Sequence, residues 1–213
     1  MNKKVIAIIV AILIIAVAGV VIYMVTGSNS ETNSNQANDS AQNNNENTGN
    51  NTTSNGGKAL VLYFSTSGNT EAVANNIHDE VGGDIIKLET VENYPSDYND
   101  LLDYAQDEQS ENARPELSTT IDNIADYDVI FLGYPIWWGD MPMPIYTFLD
   151  DYDLSGKTIA PFVTSGGSGL SGTPSTIQKE EPKATVTEGL SIRDDDARNS
   201  KSDVTAWLDS LGY

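Results

Sequence analysis

The chain has 213 residues with 31 Asp and Glu against 11 Lys and Arg, a formal charge of −20, no cysteine and one histidine. Without cysteine there is no disulfide framework, thiolate metal site, iron–sulfur cluster or acylated lipoprotein anchor. A single His78 argues against a histidine-based triad, and a pI near 4.1 against binding the phosphate backbone of nucleic acid.

Residues 1–26 stand apart. Lys3 and Lys4 precede residues 5–25, an uncharged run of mostly Val, Ile, Leu and Ala. As a helix this run would be about 31 Å long, matching the ~30 Å hydrocarbon core of a bilayer. Ala16, Val17 and Ala18 resemble a signal-peptide cleavage site. The apolar run continues through residues 20–25, however, which favours an uncleaved anchor. With the lysines on its N-terminal side, the positive-inside rule predicts a single-pass membrane protein whose remainder is extracytoplasmic.

Residues 27–57 are rich in Asn, Ser, Thr, Gln and Gly, with eleven asparagines. Such a tract buries too little apolar surface to offset the ordering of its backbone, so a disordered linker is expected, with a reach of about 30 Å. Residues 58–213 have the length of one ordinary domain. They hold nine basic and 28 acidic side chains, a net −19.

Within this domain strand and helix patterns alternate. Residues 58–64 (KALVLYF) form a nearly continuous apolar run, as in a strand buried on both faces of a parallel sheet. Val73, Ile77 and Val81 mark a helix that Gly82 and Gly83 stop. A short strand over 85–88 comes next. Tyr98, Leu101, Leu102 and Ala105 give a second helical stripe, with Ser96 or Asp97 as cap. A strand over 129–133, a short helix over 142–149 and a strand over 158–163 follow. The pattern closes with a helix near 174–180, a fifth strand over 184–190, and a last helix marked by Val204, Trp207, Leu208 and Leu211. This alternation predicts an α/β fold: a three-layer, doubly wound, five-stranded parallel sheet.

In such sheets ligands bind at the carboxyl ends of the strands, where strand order reverses. Three loops qualify. Ser65, Thr66, Ser67, Gly68, Asn69 and Thr70 offer hydroxyls, an amide and a helix N-terminus, a cradle for a phosphate. No lysine follows the glycine, so the nucleoside-triphosphate loop pattern is absent, and a capping turn rich in Ser and Thr is the plainer alternative. Tyr134, Pro135, Ile136, Trp137, Trp138, Gly139 and Asp140 place two tryptophans at a strand end, suited to stacking on a flat heterocycle. Packing onto a neighbouring helix is the alternative for one of the pair. Thr164, Ser165, Gly166, Gly167, Ser168 and Gly169 form a loop whose N–H groups face a ligand at close range.

The segments LVLYFSTSGNTEAVA, VIFLGYPIWWGDMPMPIYTFL and TIAPFVTSGGSG, with YPSDYNDLL and ENARPEL between them, resemble the short-chain flavodoxin family across 58–213. The resemblance implies strand order 2-1-3-4-5 and noncovalent FMN. On that likeness Ser65 to Thr70 bind the phosphate. Pro135 to Gly139 flank the isoalloxazine, with Trp137 or Trp138 stacked on it and the Gly139 backbone near its redox-active nitrogen. Thr164 to Gly169 close the pyrimidine side. No side chain presents itself as a catalytic acid, base, nucleophile or metal site, so the cofactor would carry the chemistry. The expected function is electron transfer through FMN at the outer membrane face, to a redox protein or small-molecule acceptor. An FMN-dependent NAD(P)H:quinone-type oxidoreductase is the alternative, and a surface binding module that has lost FMN is a third. Membrane anchor and linker depart from the family pattern. His78 is read as a surface residue and Arg114 as half of a local ion pair. The Asp194, Asp195 and Asp196 cluster is read as a solvated turn. Tyr94 and Tyr98 are read as packing or edge residues near the ring.

Overall fold

The computed structural model describes residues 57–213; the expected membrane segment 1–26 and all but the last residue of the expected linker lie outside them. Among the described residues no helix is long and apolar enough to cross a membrane. The strands are β1 (Ala59–Tyr63), β2 (Asp84–Lys87), β3 (Val129–Pro135), β4 (Thr158–Ser165), β5 (Thr185–Val186) and β6 (Leu190–Arg193). The helices are α1 (Asn69–Val81), α2 (Tyr98–Ser110), α3 (Met143–Asp151), α4 (Thr173–Glu180) and α5 (Lys201–Leu211). The sheet is parallel throughout, in the order β2-β1-β3-β4-β5, with β6 also pairing β4.

Alternation along the strands makes two cores. Val61, Phe131 and Phe162 face α1 and α5 through Val73, Ile77, Val204 and Leu208. Leu60, Leu62, Ile130, Leu132 and Val163 face α3 and α4 through Ile145, Phe148 and Ile177. Period-two burial on both faces explains why the strands read as unbroken apolar runs. Where Gly133 faces Phe162, a Cβ would stand 2.1 Å from the ring. Any other residue there would have to displace the buried Phe162 ring.

The expected fifth strand is two strands. Ile159 pairs with Val186 but Phe162 pairs with Leu190, so two residues of β4 oppose three of its neighbour. Pro161 supplies the reason. The Ile159 carbonyl accepts from the Thr187 N–H at 2.9 Å, so position 161 turns toward the same neighbour, and a proline has no N–H to donate there. The ladder bulges. Gly189 then passes so close that a Cβ would stand 3.0 Å from the Pro161 carbonyl oxygen and 2.7 Å from Leu170.

Helix α2 belongs to neither core. Asp97 caps it, accepting from the N–H groups of Asn99 and Asp100, and of its thirteen residues only Ala105 and Glu108 are buried.

Candidate functional site

The carboxyl ends of β1, β3 and β4 bring the three loops together. In the first loop the Ser65 hydroxyl accepts from the Gly68 N–H at 3.1 Å and the Ser67 hydroxyl from the Asn69 N–H at 3.4 Å. Gly68 takes φ +83 and no side chain caps α1, which leaves first-turn N–H groups for a ligand. Thr70 and Thr164 share a buried hydroxyl–hydroxyl bond of 2.9 Å, tying the first loop to the third.

The second loop is a two-residue reverse turn. Trp137 and Asp140 exchange two backbone hydrogen bonds of 2.9 Å, and the residues between them, Trp138 and Gly139, hold φ values of 50 and 80. Positive φ at both central positions is the type I′ geometry, natural for glycine and costly for tryptophan. The Asp140 carboxylate fixes the turn from behind, accepting from the Met141 N–H at 2.8 Å and the Tyr146 hydroxyl at 2.9 Å. Burial and this carboxylate together push the Tyr146 phenol well above its ordinary range.

The turn divides the tryptophans. Trp137 packs edge-on against Phe64 and Tyr94, at centroid separations of 5.6 and 5.5 Å. Trp138 is 49% exposed, and its indole N–H reaches across to the Leu102 carbonyl of α2 at 3.0 Å. In the third loop Thr164 and Ser165 are buried, and the Ser165 hydroxyl accepts from the Gly167 N–H at 3.3 Å. The Thr164 carbonyl accepts from the Ile136 N–H at 2.9 Å, joining the third loop to the second.

These loops bound a cavity of about 430 Å³. Thr66, Ser67 and Asn69 line it from the first loop; Pro135, Ile136, Trp137 and Trp138 from the second; Thr164 and Gly166 from the third. Ser65 faces a neighbouring cavity instead. Gly68, Thr70, Gly139, Ser165, Gly167, Ser168 and Gly169 lie in the loops without lining the walls of this cavity. Around Gly68, Gly139, Gly166 and Gly169 the space a Cβ would take is open.

The far wall is α2, through Tyr98, Leu101, Leu102 and Ala105, and Asp194 is the one charged group on the lining. Among these, Tyr98 and the Asp194 cluster stand out in the sequence, and Leu101, Leu102 and Ala105 appear there only as a helical stripe with no stated partner. Its spacing was visible; what it faces is an open slot. Asp194 follows β6, whose last residue Arg193 pairs with Ser165 at the carboxyl end of β4.

The remaining candidates sit elsewhere. Arg114 pairs with Asp150 and lies over the Tyr146 ring. The exposed His78 ring nitrogen meets the Gly83 carbonyl at 3.2 Å, closing the end of α1. Among the described residues no cluster of three or more His, Asp or Glu is placed to hold a metal ion.

Comparison with known proteins is consistent with this geometry. The family model described as Flavodoxin matches residues 58–211. A candidate flavoprotein from Bacteroides eggerthii is 35% identical, with a TM-score of 0.66 over 74% of this chain and 99% of that one. A Lactobacillus acidophilus flavoprotein solved in complex with FMN is 29% identical, with a TM-score of 0.57 over 68% of this chain and 99% of that one. An NAD(P)H dehydrogenase (quinone) from Paracoccus denitrificans is 32% identical over 129 residues, 56% of this chain. The match spans only 59% of that relative's length.

Proposed function

Since the chain belongs to the flavodoxin family, we propose that it holds FMN noncovalently in the Trp-walled cavity and passes electrons through it. We place the domain at the outer face of a membrane, tethered by its apolar N-terminal segment. When bound, FMN supplies reversible one- and two-electron chemistry.

The observation that carries the reading is convergence: three loops far apart in sequence line one cavity of about 430 Å³. Its residues fit the cofactor. Thr66, Ser67, Asn69 and the uncapped first turn of α1 offer neutral donors for a phosphate. Trp137, Trp138 and the apolar face of α2 line the slot with aromatic and aliphatic surface suited to a flat ring. The Gly166 backbone closes one end without a side chain in the way. Asp194 and the domain's net −19 disfavour further negative charge in the slot, which keeps the reduction potential low. A basic redox protein or a small-molecule acceptor would take the electrons.

A second reading, FMN-dependent reduction of quinones by NAD(P)H, draws on the likeness to the Paracoccus enzyme. One experiment separates the two: the visible spectrum of the full chain after FMN is added, followed by stepwise anaerobic reduction. Tight uptake with reduction resolved into two one-electron steps is the result expected of an electron carrier. Uptake with a single two-electron bleach, produced also by NAD(P)H, supports the reductase. Failure to take up FMN overturns both.

A further inference from the structure

A second cavity, of about 540 Å³, opens on the other side of the first loop. Its floor is Phe64 and Leu88, at the carboxyl ends of β1 and β2, and its walls are the segment after β2 together with Ser118. Thr66 is common to both cavities.

The walls are built in place. The Thr119 hydroxyl donates to the Lys87 carbonyl and accepts from the Glu89 N–H, both at 2.9 Å. The Ser118 N–H donates to the Glu89 carbonyl at 2.8 Å, and Thr90 bridges Leu117 in antiparallel fashion. The volume falls in the range of ligand pockets, roughly 300–1,000 Å³.

The chemistry of the lining is specific. Lys87 is its one cation and Glu89 its one carboxylate, and the three ion pairs among the described residues use neither. In a domain of net −19, an ammonium left without a carboxylate partner at a cavity wall is a local attraction for an anion. Around it stand the hydroxyls of Ser96 and Ser118 and the Asn93 amide, suited to a ribose, with Tyr94 as an aromatic wall.

We propose that this cavity is a second ligand site for a nucleoside phosphate, with Lys87 as the group that holds the phosphate. A dinucleotide anchored here has the rest of its length free to cross Thr66 toward the Trp-walled slot. The proposal thus deepens the reductase reading, and rests on it, by naming where the reductant docks.

Calorimetric titration of the full chain with 2′,5′-ADP, 5′-AMP and inorganic phosphate tests it, in the wild type and in Lys87→Gln. The nucleotides bind the wild type more tightly than inorganic phosphate does. Lys87→Gln weakens them about tenfold, the loss of one charge-assisted contact, while FMN uptake measured by absorbance is unchanged. Nucleotide binding that is absent, or equal in both proteins, overturns the site. Equal affinity for inorganic phosphate and nucleotides reduces it to an anion site and overturns the nucleoside assignment. If FMN uptake falls along with nucleotide binding, the cavity is part of the cofactor site and the proposal fails. Flavin bleaching by NADPH separates this site from the reading it rests on. Equal KM in both proteins sinks the site and leaves the reductase. No bleaching, with 2′,5′-ADP still bound through Lys87, leaves the site and sinks the reductase.

Discussion

Trp138 holds a left-handed backbone at φ 50, a conformation that costs an L-residue about 1–2 kcal/mol. Asparagine or glycine would take that turn position with less strain, so the side chain must be there for its surface. Strain of this kind persists where surroundings over-determine it, and here the Asp140 carboxylate and the indole bond to Leu102 do so. The Thr70–Thr164 bond does similar work between the other two loops. Thr164→Val would leave the Thr70 hydroxyl, 1% exposed, without its partner, a loss of about 1–3 kcal/mol. Thermal denaturation should show a lower midpoint and absorbance titration a weaker FMN affinity, both recovered in Thr164→Ser. An unchanged midpoint would mean that the two loops are held together by other contacts.

At the scale of elements, α2 is the unusual piece. Glu108 is 9% exposed there and accepts from the Tyr94 hydroxyl at 2.6 Å. Burial raises its carboxyl above the ordinary carboxylate range, and the Tyr94 bond opposes part of that rise. A carboxyl whose pKa is higher in the folded state keeps its proton longer there. Its contribution to stability is therefore greatest in acid, and is lost as pH rises from its unfolded value through its folded one. Glu108→Gln keeps an acceptor for Tyr94 and removes the titration. The variant should be more stable than wild type at neutral pH, and the gap should close on acidification through the carboxylate range; denaturant melts at several pH values measure it. A gap independent of pH would assign the effect to packing instead.

The same element shows where sequence stops. The stripe Tyr98, Leu101, Leu102 and Ala105 is legible as one helical face, but periodicity gives a face and not what it meets. The split fifth strand was hidden for a different reason: its cause, Pro161, lies in the neighbouring strand. The strand order came from the family resemblance, whereas the first four strands and the order of the loops were legible because they rest on local runs, and the parallel sense because crossovers are right-handed. The division of labour between Trp137 and Trp138 was not, since it depends on Phe64 and Tyr94, residues 73 and 43 positions away in the chain.

At the scale of the molecule, charge dominates. A net −19 on residues 58–213 should steer a basic electron acceptor toward the domain and repel an acidic one. The screening length falls from about 30 Å at 0.01 M to about 10 Å at 0.1 M salt. Electron transfer from the reduced, FMN-loaded chain to a basic haem protein should therefore slow about tenfold or more over that range in stopped flow. A rate indifferent to salt would point to a small neutral acceptor. The polarity of the parallel sheet has an engineering consequence. The described chain enters at the amino end of β1, while both cavities open beyond its carboxyl end, about 17 Å away along the strand. An electrode or bead coupled ahead of Lys58 would thus grip the domain by its base and leave its sockets on the opposite pole.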